Sequence, residues 1–403
     1  MLLYLTYNDQ PSGVYWSQVT DVVAYLNTLG RGEVRLVALV SARDFRATRR
    51  KIKARDPRAW VLPMVPQMKR WKQNTTLLRW VCHRLRPEGI IGRGPFATWM
   101  ALRMRERGQV KKVCFDGRGA YAAEWEEYRI INDDALIAQF RPLENEAVNK
   151  SDFRLAVSQA LVDHWRERYA YQGDAHVVIP CTLGSEFRFE EPDDREATRR
   201  ELGYAPEDVV LVYSGSTAGW QSFGLLEELL AGILSRQPEV KVLFLSREDA
   251  NNRMLMECFP GRVQVKWLDP AQVQRTLRAC DHGILVREGT ITNRVASPTK
   301  FAEYLSAGLP VIISEGLGDF SALVKEEGLG VVVNESEKGE SGESGERGES
   351  GERGENGGRG EKVIGRLVRP DGAEQKRLMG IAQERFTKEA YAAQYRALQE
   401  AMA

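Results

Sequence analysis

The chain has 403 residues, enough for two domains of ordinary size with large cores, and its formal net charge of +1 conceals a basic first part and an acidic remainder. Residues 1–150 hold 26 Lys and Arg against 15 Asp and Glu, which leaves 31 against 41 for the rest. Five scattered cysteines without C-x-x-C spacing (Cys82, Cys114, Cys181, Cys258, Cys280) argue against a zinc site or a disulfide framework, and no apolar run approaches the ~18 residues of a membrane span, so a cytoplasmic protein, at most peripheral to a membrane, is expected.

In chain order, Leu2–Tyr7 reads as a buried strand, residues 8–13 as a turn, the residues up to about 29 as an amphipathic helix, and residues 33–40 as a second strand. Strands near 59–65, 89–92, 112–115 and 154–158 continue the alternation, which predicts a parallel, doubly wound α/β sheet whose ligand edge lies at the strand C-termini. Three segments fall at that edge: Pro11-Ser12-Gly13, Gly92-Arg93-Gly94-Pro95 and Asp116-Gly117-Arg118-Gly119. Each alone is a plain turn; together they suit one wall of a cleft.

Two basic stretches, 43–58 and 68–86, interrupt the alternation and read as helices. Cations interleaved with Trp71, Leu77 and Trp80 suit an anionic membrane surface, each contributing about 1 kcal/mol near the lipid. The plain alternative is a solvated helix face with Trp80 in the core; no nucleic-acid-binding motif accompanies the cations, so nucleic acid is not expected as a partner.

Residues 182–200 turn polar and acidic, as a linker does, and a second alternation follows. A strand over 209–213 ends in Ser214-Gly215-Ser216, a helix spans about 222–235, and strands follow over 240–246, 263–268 and 283–286. Residues 339–362 carry glycine at every third place without proline, which should not hold a collagen-like helix and predicts a disordered surface insertion between a strand ending at Val333 and another over 363–368. Residues 374–402 have helical periodicity.

The most informative stretch is 297–313, SPTKFAEYLSAGLPVII. Ser297 suits an N-cap, Pro298 the first turn, and Gly308 with Pro310 a helix end. The free N–H groups near Ser297 and Thr299, with Lys300 beside them, make an anion seat. Glu303, one turn on, is the odd acid beside Phe301, Tyr304 and Leu305, whose spacing marks a buried face.

Pro298, Lys300, Glu303, Tyr304, Leu305, Gly308, Pro310 and Val311 match the pattern P-x-K-x-x-E-Y-L-x-x-G-x-P-V, and on these residues the stretch resembles the donor-binding helix of retaining family-four glycosyltransferases. The resemblance implies the GT-B plan, two tandem Rossmann-like doubly wound parallel-sheet domains facing a cleft. Residues 1–181 would form the acceptor-side domain, 182–200 the linker, 201–385 the donor domain with a disordered insertion at 338–362, and 386–403 a last helix crossing back. It further implies retaining transfer of a hexose or related sugar from a nucleotide sugar to a glycan or lipid-linked acceptor, as in polysaccharide biosynthesis, with no cofactor and no metal. Same-face attack, with the leaving phosphate taking the proton, requires no dedicated side-chain base.

In that likeness Glu303 binds the ribose, while Gly13, Gly215, Ser216, Ser297, Thr299 and Lys300 surround the diphosphate. Arg93, Asp116 and Arg118 face the acceptor side. Arg247 and Arg287, each just past a strand end, are added as cations for the diphosphate, with surface ion pairing as their alternative. Two departures stand out. Val295 occupies the place of the family's first glutamate, and Ser216-Thr217-Ala218-Gly219-Trp220-Gln221 lacks the usual arginine and lysine. They leave room for a non-catalytic GT-B protein that binds a sugar nucleotide or a partner, or for a sugar-nucleotide epimerase.

Overall fold

The computed structural model describes residues 1–66, 68–129, 133–189, 195–215, 221–334 and 364–403. The predicted insertion at 338–362, Ser216 with the loop after it, and part of the predicted linker lie outside the described residues.

The first domain is built on a seven-stranded parallel sheet: β1 (Leu2–Tyr7), β2 (Val34–Val40), β3 (Trp60–Pro63), β4 (Gly89–Arg93), β5 (Lys112–Gly117), β6 (Phe153–Ala156) and β7 (His176–Val178). Its strand order is β3-β2-β1-β4-β5-β6-β7. The second is built on six parallel strands, β8 (Val209–Ser214), β9 (Val240–Leu245), β10 (Val263–Val265), β11 (His282–Leu285), β12 (Val311–Ser314) and β13 (Gly330–Val333), ordered β10-β9-β8-β11-β12-β13. The continuous apolar runs of β1 and β8 are buried at every position, as strands covered by helices on both faces must be. In each sheet the order reverses once, between β1 and β4 and between β8 and β11, and ligands bind doubly wound sheets at that reversal.

The chain returns to the first domain at its end. The helix Gly372–Phe386 packs on Thr299–Ser306, whereas Ala392–Met402 lies on β5, β6 and β7, with Tyr395, Leu398 and Met402 in the first-domain core. Gln399 Nε2 donates to Leu26 O at 3.1 Å. Among the described residues no helix is long and apolar enough to cross a membrane.

Two local expectations fail for physical reasons. Residues 364–370 form no strand; Ile364 and Leu367 pack into the second core, and the Leu367 N–H is satisfied by Gln237 Oε1 instead of a sheet ladder. Trp80 is 53% exposed, because Leu78, Val81 and Cys82 form the buried stripe of the helix Thr75–Leu85; of the two tryptophans in the second basic stretch, Trp71 is the buried one.

Candidate active site

The helix Thr299–Ser306 is fixed from below by Tyr304. The Ser214 N–H donates to the Tyr304 hydroxyl at 2.9 Å, and that hydroxyl donates to Ile284 O at 3.3 Å. The tyrosine thus joins the ends of β8 and β11, the two strands at the reversal. Its ring lies against Gly283, where an added Cβ would fall 2.3 Å from Tyr304 Cγ. Only glycine lets the ring approach this closely. The helix ends at Gly308 (φ +75°), beside Gln375 of the next-to-last helix.

Its beginning differs from expectation. Pro298 holds the N-cap place, and Ser297 Oγ accepts the Cys181 N–H at 2.9 Å, so the serine ties this helix to the end of the first domain and does not cap it. The helix starts one residue too late for the serine to reach its free N–H groups.

With Tyr304 and Phe301 turned inward, Lys300 and Glu303 face a cleft of about 690 Å³, lined also by Gly13 from the loop after β1 and by Ser214, Gly215, Arg247, Asp249 and Trp267. Lys300 Nζ lies 3.0 Å from Glu303 Oε2. The Arg247 guanidinium sits 5.0 Å from the centre of the Trp267 ring, which is 68% exposed. Sequence reasoning missed Trp267; its signal was a bulky aromatic just past the end of β10, at the ligand edge. Glu186 and Phe187, from the segment read only as linker, also line the cleft.

The remaining expected donor residues stand apart. Ser297 borders a separate hollow of about 260 Å³ with Ser158 and Asp319, and Thr299 is half-buried at the first position of the helix. Arg287 is buried: its N–H donates to Ser314 Oγ at 2.8 Å, Nη1 donates to Asn293 Oδ1 at 3.4 Å, and Nε has no partner among the described residues. Burial lowers its pKa, the direction expected of a desolvated cation.

Arg93, Asp116 and Arg118 come together as a buried network under the first-domain ligand edge. Asp116 is fully buried and accepts from the Tyr4 hydroxyl. Arg118 Nε lies 2.7 Å from Asp116 Oδ1, and Arg93 Nη1 lies 3.7 Å from Oδ2. Arg93 also lines a pocket of about 170 Å³ with Asp9, Tyr7, Tyr121 and Trp125, distinct from the cleft that holds Glu303. Among the described residues no group of three or more His, Cys, Asp or Glu is placed to hold a metal ion.

No family model and no curated protein matches the chain. Solved structures do. HepE from Anabaena, in complex with UDP and glucose, is 14% identical with a TM-score of 0.68 over 99% of both chains. Sucrose-phosphate synthase from Thermosynechococcus elongatus is 11% identical with a TM-score of 0.66, covering 99% of this chain and 98% of its own. A glycosyltransferase from Rickettsia africae is 14% identical with a TM-score of 0.65, covering 100% and 98%. The chain therefore shares the GT-B fold of these glycosyltransferases, two Rossmann-like domains with the cleft of Lys300 and Glu303 at the strand reversal.

Proposed function

We propose that the protein is a retaining glycosyltransferase that moves a sugar from a nucleotide donor to a glycan or lipid-linked acceptor. The observation that carries this reading is the convergence of Lys300, Glu303, Gly13 and Gly215 on one cleft, with the cation and the acid at i and i+3 on a pinned helix. Glu303 accepts the ribose hydroxyls; Lys300 and the N–H groups at the helix start receive the diphosphate. Gly215, at φ +150°, lets the phosphate approach the backbone. The exposed face of Trp267, with Arg247 beside it, is placed for the base. In the transfer, the acceptor oxygen bonds to the anomeric carbon as the bond from that carbon to the phosphate oxygen breaks, and the acceptor's proton passes to the leaving phosphate. HepE has been crystallised with UDP and with UDP-glucose, which makes uridine nucleotides the first to try.

The test is a thermal-shift screen against nucleoside diphosphates and nucleotide sugars with Glu303→Ala alongside, since a ligand of the native state raises the melting temperature. A nucleotide that stabilises the wild type and not the variant supports the reading; a panel without any shift defeats it. A non-catalytic binding protein is the second reading, favoured by Val295, which is buried where a sugar-holding glutamate would stand. Donor binding without release of the nucleoside diphosphate in the presence of acceptor would select it.

A further inference from the structure

The first domain has a cavity of its own at the place where its strand order reverses. At the ends of β1 and β4 lies the pocket of about 170 Å³ that holds Asp9 and Arg93. That is the volume of about six water molecules at ~30 Å³ each, room for one substituted six-membered ring. Its walls are aromatic. The ring centres of Tyr7 and Phe96 are 5.6 Å apart, Trp125 stacks on Phe140 at 3.8 Å, and the Tyr121 hydroxyl lies over Gly94.

The polar groups of this pocket are incompletely satisfied. The Arg93 side chain is 11% exposed, yet its contacts are long: Nε is 3.5 Å from Asp9 Oδ1, Nη1 is 3.7 Å from Asp116 Oδ2, and Nη1 has no hydrogen-bond partner among the described residues. A guanidinium carries five N–H donors, so one held this loosely has donors left for a ligand. The Tyr7 hydroxyl accepts from Asn74 Nδ2 at 3.2 Å and, among the described residues, gives its own proton to no acceptor. The Tyr121 hydroxyl forms no hydrogen bond among them.

The charges cancel. Arg93 and Arg118 meet Asp9 and Asp116, two cations against two carboxylates. A phosphate or carboxylate entering the pocket would compete with Asp9 for Arg93 and face the buried Asp116 behind it, whereas a neutral ligand leaves the balance intact.

We propose that this pocket holds a neutral sugar ring of the acceptor. The C–H faces of the ring lie against the aromatic walls, whose π faces are negative, and its hydroxyls bridge Arg93 and Asp9, a donor and an acceptor side by side, with the two tyrosine hydroxyls beside them. The loop after β1 links the pocket to the donor cleft: Asp9 lines the first and Gly13, four residues on, the second, at most about 14 Å away. A glycan held by one ring therefore extends toward the donor. That the sugar belongs to an acceptor rests on the glycosyltransferase reading; that the pocket binds a sugar does not.

The experiment is saturation-transfer difference NMR of the full chain with the methyl glycosides of glucose, galactose, mannose and N-acetylglucosamine, and with glucose 6-phosphate and glucuronate. At least one neutral glycoside should bind saturably, and more tightly than either anion. Asp9→Asn should weaken it about tenfold or more and Tyr121→Phe about fivefold, as loss of a charged and of a neutral hydrogen bond, while Glu303→Ala leaves it unchanged. No saturable binding of any of the four, preference for an anion, or unchanged affinity in both folded pocket variants would each overturn the proposal. The thermal shift by the nucleotide panel, measured on the same proteins, separates the two readings. A wild type that binds a glycoside but shifts with no nucleotide loses the glycosyltransferase reading and keeps the sugar pocket; one that shifts but binds no glycoside loses the pocket alone.

Discussion

Lys300 Nζ lies 3.0 Å from Glu303 Oε2 across one turn of the helix Thr299–Ser306, with the lysine side chain 27% and the glutamate 15% exposed. Such a pair on a helix surface is worth only ~0.3–0.5 kcal/mol, so a ligand that offers a phosphate to the cation and hydroxyls to the acid separates them at little cost. Glu303→Ala should therefore leave the melting temperature nearly unchanged while weakening nucleotide binding by about 1.5–3 kcal/mol, the range for a hydrogen bond to a charged group, or roughly 10- to 150-fold in Kd. Titration calorimetry with the best-binding nucleotide measures this. An unchanged Kd in the folded variant would remove Glu303 from the ribose site.

Tyr304→Phe tests the pinning of that helix. The Ser214 N–H and Ile284 O lose their shared hydroxyl, and a buried N–H left without a partner costs about 1–3 kcal/mol. Denaturant unfolding should show that loss. Because Ser214 leads into Gly215, nucleotide affinity should fall as well, which a purely structural tyrosine remote from the cleft would not cause.

The two sheets and the helix Thr299–Ser306 were legible because their signals are local: apolar runs of four to seven residues, the turn residues between them, and the i, i+3, i+4 face of Phe301, Tyr304 and Leu305. What was not legible depends on contacts between distant segments. Ser297 has the composition of a cap, but its partner is Cys181, 116 residues away. Trp80 looks like a core residue until Leu78, Val81 and Cys82 take the inner face. The Asp116 cluster gathers Tyr4 of β1, Arg93 at the end of β4 and Arg118 just past β5, with Asp9 3.5 Å from Arg93 as the second carboxylate, and nothing in their spacing shows that two acids and two arginines meet there.

Carboxylates at helix starts are among the contacts that join the two domains. Glu127 of the first domain accepts the N–H groups of Ile291 and Thr292 at 2.9 and 3.1 Å, while Asp319 of the second accepts those of Gln159 and Ala160 at 2.6 and 3.0 Å. Each is an N-terminal cap supplied across the interface, worth about 0.5–2 kcal/mol. The double variant Glu127→Ala/Asp319→Ala should open the cleft without unfolding either domain. Small-angle scattering should record a larger radius of gyration, reversed by a tight-binding nucleotide; an unchanged radius would show that these caps do not govern closure.

Glu144 gives the stability a pH dependence whose sign can be stated. Its carboxylate is fully buried and accepts from the N–H groups of Tyr121 and Ala122 and from the Tyr169 hydroxyl, yet burial outweighs these bonds and pushes its pKa from 4.5 up to about 7. A carboxyl that holds its proton more tightly when folded contributes fully below pH 4.5, and that contribution is lost as the pH rises through 7. Glu144→Gln keeps one acceptor oxygen and cannot ionise. Any cost of its amide is the same at every pH, so the difference in stability between wild type and variant isolates the titration. Unfolding by urea across this range should show the wild type losing up to about 3 kcal/mol relative to the variant as the pH rises, and a level difference would place the proton elsewhere. Glu124, raised to about 7 by burial and by the nearby Glu127, remains in both proteins and largely cancels from the comparison.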